Sequence, residues 1–149
     1  MAFIFIALVL LALAWPVVAV GAVALVAMAA FTLRERRLSR NSSGALTRAS
    51  WLLTMGTALT GIAAYGHGLA ATTFGLITDV DDRCALRQVA GYDHHRGVPA
   101  GGSHSMWPLQ DTTCGPDLVP GFVNPLVASS AALFVALAVF STVMSLRSR

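Results

Sequence analysis

The sequence of 149 residues contains no lysine, and all ten of its basic side chains are arginines. Charged residues make up only 11% of the chain, less than half their usual share in a soluble domain, whereas 56% of the residues are hydrophobic. This scarcity of charge excludes an ordinary soluble domain. The absence of lysine favours a GC-rich genome and therefore a bacterial source.

The sequence also lacks several arrangements on which enzymes depend. There is no Cys-x-x-Cys pair, no phosphate-binding glycine loop and no recognisable pairing of a nucleophile with a base. Membrane thiol oxidoreductases have helices with outward cysteines, as this chain does, but they carry the Cys-x-x-Cys pair needed for exchange. We therefore expect a protein without enzymatic activity and without a cofactor.

What the sequence does contain is three nearly uncharged stretches. Each exceeds the ~20 residues that an α-helix needs to cross a ~30 Å hydrocarbon layer. The sequence predicts an all-α integral membrane protein, a single membrane domain over residues 1–149. Its predicted parts are helix 2–33, loop 34–50, helix 51–77, loop 78–121 and helix 125–146.

The distribution of charge predicts the orientation of these helices. Loop 34–50 holds five arginines and one acid, and two more arginines follow the last helix, whereas loop 78–121 holds six of the seven acids. Because arginine concentrates in cytoplasmic loops, we expect loop 34–50 and the C-terminus in the cytoplasm. The N-terminus and loop 78–121 are then extracytoplasmic, and the chain is a multi-pass protein of the cell membrane. The basic excess reflects this asymmetry and gives no indication of nucleic-acid binding.

The first apolar stretch is too long for a simple span, because 32 residues of α-helix measure about 48 Å. Counting ~20 residues back from its end places Trp15 at the outer headgroup layer. Pro16 lacks a backbone N–H, so we expect a kink there. Residues 2–13 are then expected to lie in the outer interface or over the outer loop, with a bent or continuous span as the alternatives.

Small residues recur along the second predicted helix at spacings of three and four. In lipid, such a stripe lets helix backbones approach closely and indicates a packing face. Either another helix of this chain or another subunit could occupy it. The stripe consists of Gly56, Thr60, Ala64, Gly68, Thr72 and Gly75.

Two cysteines, Cys84 and Cys114, both fall in the predicted outer loop. The extracytoplasmic side of bacteria is oxidising, and no other cysteine competes, so we expect a disulfide between them. Closing a ring of this size removes about 3 to 4 kcal/mol of unfolded-state entropy.

The outer loop also contains candidate metal ligands. Asp93, His94, His95 and His104 supply imidazole and carboxylate groups that could hold Zn²⁺ or Cu²⁺, although a polar loop contains such residues in any case. His67 is the strongly ionisable side chain inside a predicted helix, and such a residue is a functional candidate by default. Its position near the outer surface is equally compatible with a hydrogen bond to the loop.

The return of the outer loop to the membrane is rich in proline and apolar residues. Asn124 is expected to cap the third helix and Pro125 to occupy its first position. With the disulfide, the stiff return segment predicts a lid that presents Tyr92 to Trp107 outward.

These residues resemble those of a group of small actinobacterial membrane proteins of uncharacterised function. The resemblance covers Cys84 to Pro125: a cysteine, the aromatic-Pro-Leu of Trp107 to Leu109, a second cysteine, and Asp-Leu-Val-Pro-x-x-Val-Asn-Pro before a last helix. It implies a shared outer lid and no particular activity.

We therefore expect a non-enzymatic accessory or interaction subunit that packs in the lipid bilayer on a membrane-protein partner or on its own copies. The first alternative is a small transporter or ion-handling subunit that uses His67 and the outer histidines. The second is a metal or redox sensor at the cell surface.

Overall fold

The computed structural model describes residues 2–38, 43–72, 82, 84 and 102–147, and it is mostly helical. Its elements in chain order are α1 (Ala2–Leu38), α2 (Ser43–Thr72), β1 (His104–Met106), β2 (Leu109–Asp111) and α3 (Val123–Arg147). Within the described residues, the expectation of a mostly helical fold with three long helices is confirmed. The two short strands were not predicted.

Two of the three helices are long and apolar enough to cross a membrane. These stretches are Ile6–Glu35 in α1 and Val123–Leu146 in α3, of which only 6% and 11% are buried within the protein. Within its described residues α2 contains no such stretch, because glycine, threonine, tyrosine and histidine interrupt its large aliphatic side chains. Length and composition therefore support two spans directly.

The helices extend further into the first predicted loop than the sequence indicated. α1 continues to Leu38, since Arg, Glu and Leu are good helix formers and no Gly or Pro intervenes. α2 already begins at Ser43, so Ser50 lies inside it and donates its hydroxyl to the Thr47 carbonyl at 2.9 Å.

Two further predictions about the helices concern the kink at Pro16 and the end of the second helix. α1 is helical on both sides of Pro16, and the predicted kink there stays a prediction. Residues 73–77, with which the second predicted helix ends, lie outside the described residues.

The chain divides into two compact units. The bundle unit consists of Ala14–Ala64 and Leu126–Arg149, and the hairpin unit consists of Met1–Leu13 and Tyr65–Pro125.

In the bundle unit, small side chains are buried and large apolar side chains are exposed. The buried residues include Ala22 and Ala29 of α1, Ala49, Ser50, Thr54 and Ala63 of α2, and Ser130 and Ser141 of α3. In contrast, Val17 is 75% exposed, Phe31 64% and Val135 59%. This is the reverse of a water-soluble core, in which the large apolar side chains are buried.

α1 and α2 are antiparallel neighbours in the bundle unit. A Cβ added at Gly56 would lie 3.0 Å from Val26 Cγ2, and one added at Gly21 would lie 3.6 Å from Leu59 Cδ1. As α1 advances from Gly21 to Val26, the facing α2 residues run backwards from Leu59 to Gly56. Glycine thus permits a close helix contact at position 56, whereas an added Cβ at position 21 would make an ordinary van der Waals contact.

α2 and α3 are also antiparallel neighbours. A Cβ added at Gly61 would lie 3.2 Å from Ser130 Cβ, and the hydroxyls of Thr54 and Ser141 are 3.5 Å apart. Thr54 also donates to the Ser50 carbonyl at 2.8 Å, so this buried hydroxyl has a partner in its own helix. α2 therefore contacts both other helices within this unit.

The hairpin unit contains a two-stranded antiparallel sheet. β1 pairs with β2 in the register His104 with Asp111, Ser105 with Gln110, and Met106 with Leu109. A cis peptide bond joins Trp107 to Pro108 at the turn. The Ser105 hydroxyl donates to the Pro108 carbonyl across this turn.

Candidate functional site

Apart from Cys84, the described part of the predicted lid is residues 102–122, which we call the hairpin segment. It consists of β1, β2 and the return to α3, and it contains the predicted Trp107, His104 and Cys114. Its side chains and those of the helix ends in the hairpin unit form the candidate site.

The Asn124 side chain fixes the hairpin segment to the start of α3. Its Oδ1 accepts from the Leu109 N–H at 2.8 Å, and its Nδ2 donates to the Leu109 carbonyl at 2.9 Å. The expectation that Asn124 caps α3 was wrong, since both ends of its amide bind the backbone of β2. Pro125 is the third residue of α3 and not its first, as was expected, but it still lies in the first turn, where the missing N–H leaves no intrahelical bond unmade.

The hairpin segment packs directly on α2 at Gly68. A Cβ added at Gly68 would lie 2.6 Å from Leu109 Cδ2 and 2.9 Å from Val123 Cγ1. Leu69, Leu109 and Val123 are fully buried. A larger residue at position 68 would therefore require the side chain of Leu109 or Val123 to move.

Two aspartates shape the return path after β2. Oδ1 of Asp117 accepts from the Asp111 N–H at 3.1 Å and from the Val119 N–H at 3.0 Å. The fully buried Asp111 accepts from the Thr113 N–H at 3.1 Å, and its carbonyl accepts from the Leu118 N–H at 2.9 Å. Gly115 has a φ of 101°, a conformation that glycine adopts at no steric cost.

The predicted disulfide between Cys84 and Cys114 is confirmed, with Cα atoms 5.5 Å apart. Both cysteines are buried, at 0% and 3% exposure. A buried disulfide is poorly accessible to an attacking thiolate, so this arrangement favours a structural cross-link.

The last described turns of α2 contribute two aromatic contacts. The Tyr65 hydroxyl donates to the Met106 carbonyl at 3.1 Å. The half-buried His67 ring stacks on Phe122, with centroids 5.8 Å apart and an interplanar angle of 19°. His67 thus contacts the hairpin segment through ring stacking, and the expected hydrogen bond to the loop stays a prediction.

The solvent-exposed surface of the hairpin segment is aromatic and polar. Trp107 is 59% exposed at the turn, Phe122 is 56% exposed, and His104 is exposed on β1. The predicted candidates Tyr92, Asp93, His94 and His95 lie outside the described residues. In the described part of the chain, no three His, Cys, Asp or Glu side chains come together as a metal site.

The small-residue stripe of α2 packs within the chain wherever contacts are described. Gly56 contacts α1 in the bundle unit, and Gly68 contacts β2 and α3 in the hairpin unit. Thr60 donates to the Gly56 carbonyl and Thr72 to the Leu69 carbonyl, at 2.8 and 2.9 Å, and Ala64 is buried. Gly75 lies outside the described residues.

Sequence reasoning missed several residues on which the hairpin unit depends. Leu109, Asp111 and Asp117 were not singled out, nor was the contact of Tyr65 with Met106. The Asp-x-Val pattern of Asp117 and Val119 is a turn signal, because aspartate binds a backbone N–H two residues on.

These features define a helical chain with two stretches able to cross a membrane and a disulfide-linked hairpin with exposed aromatic side chains. Comparison with protein-family models, with curated proteins and with solved structures finds no match.

Proposed function

We propose that this chain is a three-span protein of a bacterial cell membrane that acts as a non-enzymatic accessory subunit of a membrane complex. The observation that carries the membrane assignment is the burial pattern of the bundle unit, in which alanine, serine and threonine are inside and valine and phenylalanine outside. In water such a surface would be strongly unfavourable. In lipid it is the expected arrangement, since small residues permit close helix packing and large ones face the acyl chains.

We propose α2 as the middle span, although its composition is less apolar than that of α1 or α3. Within the bundle unit it contacts α1 at Gly56 and α3 at Gly61, so two of its sides face protein. A helix with protein on two sides needs fewer large apolar residues than one surrounded by lipid. Loop 34–50 and the C-terminus are then cytoplasmic, and the hairpin segment and the N-terminus are extracytoplasmic.

The hairpin segment is the surface that we propose for partner recognition. Its buried groups already have partners within the hairpin unit, through the disulfide and through the hydrogen bonds of Asn124 and Asp117. Trp107 remains largely exposed at the turn. Exposed aromatic side chains on a rigid support are typical of residues that contribute most to protein interfaces.

The transport alternative depends on His67 and the outer histidines, and the metal-sensing alternative depends on the outer histidines. His67, the other candidate for ion handling, stacks on Phe122. We therefore place the accessory role first.

Purification of the tagged full chain from its own membranes tests this role. We expect native mass spectrometry in mild detergent and in lipid discs to show a mass above that of the 15.6 kDa monomer, from another chain or from further copies. The Trp107→Ala variant should lower the recovery of that complex, whereas Gln110→Ala, an exposed position on β2, should not. Recovery of a bare monomer in every detergent and in lipid discs would contradict the proposal.

A further inference from the structure

Arginine is concentrated in two parts of the sequence, residues 34–48 and residues 147–149. Seven of the ten arginines lie near the end of α1, the start of α2 or the end of α3, with Glu35 as the sole acid among them. The seven are Arg34, Arg36, Arg37, Arg40, Arg48, Arg147 and Arg149.

The contact between α1 and α2 places Arg34 and Arg48 at the same level of the bundle unit. Gly56 faces Val26, and the two helices are antiparallel. Arg34 lies eight residues after Val26, and Arg48 lies eight residues before Gly56. Each is therefore about 12 Å beyond the contact, in the same direction.

The contact between α2 and α3 places Arg147 at that level too. Thr54 faces Ser141 in a second antiparallel pair. Arg48 lies six residues before Thr54, and Arg147 lies six residues after Ser141. Both are therefore about 9 Å beyond their contact, so three helices each contribute an arginine position to one end of the bundle unit.

Exposed aromatic side chains mark the layer just inside this end. Phe31, three residues before Arg34, is 64% exposed, and Trp51, three residues after Arg48, is 41% exposed. The side chains of Arg34 and Arg48 are themselves exposed. Tryptophan prefers the headgroup boundary of a membrane, so the arginines lie where the phosphates of lipid headgroups are found.

We propose that this end of the bundle, from here on the basic end, binds anionic phospholipid headgroups and retains them selectively over zwitterionic ones. The inference rests on the proposed membrane location and adds a specific ligand to it. Guanidinium groups donate paired hydrogen bonds that match phosphate oxygens, and the exposed side chains of Arg34 and Arg48 come from two different helices. A net anionic headgroup also satisfies the excess positive charge, which a zwitterionic headgroup cannot do.

Lipid discs made from equal parts of phosphatidylglycerol and phosphatidylcholine test the proposal. The full chain is released from the discs in the mass spectrometer, and the lipids that stay bound are counted. We expect phosphatidylglycerol to be retained in preference to phosphatidylcholine. The double variant Arg34→Gln, Arg48→Gln should reduce this preference, by roughly fivefold for each arginine removed.

A matched control removes the same charge from loop 78–121. The double variant Arg83→Gln, Arg87→Gln should keep the preference of the natural chain. Equal retention of the two lipids by the natural chain would overturn the proposal, and so would equal loss in both double variants. Displacement of the lipid by inorganic phosphate, but not by chloride at the same ionic strength, would show a site for free phosphate and would also overturn it.

Alkaline extraction of cell membranes separates this proposal from the proposed membrane location. A chain released by alkali contradicts the membrane location itself. A chain that stays in the membrane fraction but shows no lipid preference contradicts only the lipid proposal.

Discussion

A methyl group added to Gly68 would lie 2.6 Å from Leu109 Cδ2 and 2.9 Å from Val123 Cγ1, both on fully buried side chains. We expect Gly68→Ala to destabilise the hairpin unit by about 1–3 kcal/mol, because overpacking displaces neighbours that have no free space. The shift in melting temperature in detergent micelles measures this effect.

Gly121 provides the matched control, since an added Cβ there would meet no atom within 4 Å. Gly121→Ala should leave the melting temperature nearly unchanged. If both variants melt like the natural chain, the close packing at Gly68 does not contribute to stability.

Asn124 makes a different kind of contribution, because its amide satisfies both the N–H and the carbonyl of Leu109. We expect Asn124→Ala to cost about 1–3 kcal/mol, since two part-buried backbone groups lose their partners. Asn124→Asp keeps the acceptor and loses the donor, so its stability should lie between that of the natural chain and that of the alanine variant. Repulsion between the carboxylate and the Leu109 carbonyl would lower the stability further. Protease resistance of the hairpin segment reports the loss. An alanine variant as resistant as the natural chain would show that water replaces the amide without cost.

The disulfide ties the hairpin segment to Cys84, thirty residues away in sequence. We expect the double variant Cys84→Ser, Cys114→Ser to lose about 3 to 4 kcal/mol of stability in the hairpin unit, because the unfolded chain regains its loop entropy. Since both cysteines are buried, a mild reductant should leave the native bond intact unless denaturant is present. Mass spectrometry of the alkylated chain measures the extent of reduction. Rapid reduction under native conditions would show instead that the bond is exposed.

The helices and the disulfide could be predicted because each follows from a local property: a run of apolar residues or a count of two cysteines. The hairpin could not, because β1 and β2 are three residues each and too short to show an alternating pattern. Its stability also depends on Asn124, fifteen residues from Leu109. Gly61 faces Ser130 because of the register between α2 and α3, and the sequence of either helix alone does not determine that register.

The number of spans is a property of the whole chain and has a direct chemical test. The chain has no free cysteine, so a single introduced cysteine is its only reactive thiol. In intact cells, we expect a membrane-impermeant maleimide to label Gln110→Cys and to label Arg48→Cys only after lysis. Both positions are exposed in the fold, and the natural chain is the unlabelled control. If both variants are labelled on the same side, α2 does not cross the membrane.

The bonds of Asn124 and Asp117 have a consequence for what the two-stranded sheet can join. On the side of β2 away from β1, the N–H and carbonyl of Leu109 are bound by Asn124, and those of Asp111 by Asp117 and Leu118. One amide, one carboxylate and the backbone N–H of Leu118 thus imitate a neighbouring strand and leave no backbone group on this edge to pair with a foreign chain. Edge-to-edge aggregation through β2 is prevented by these groups, and any strand that lengthens this sheet must be added beside β1.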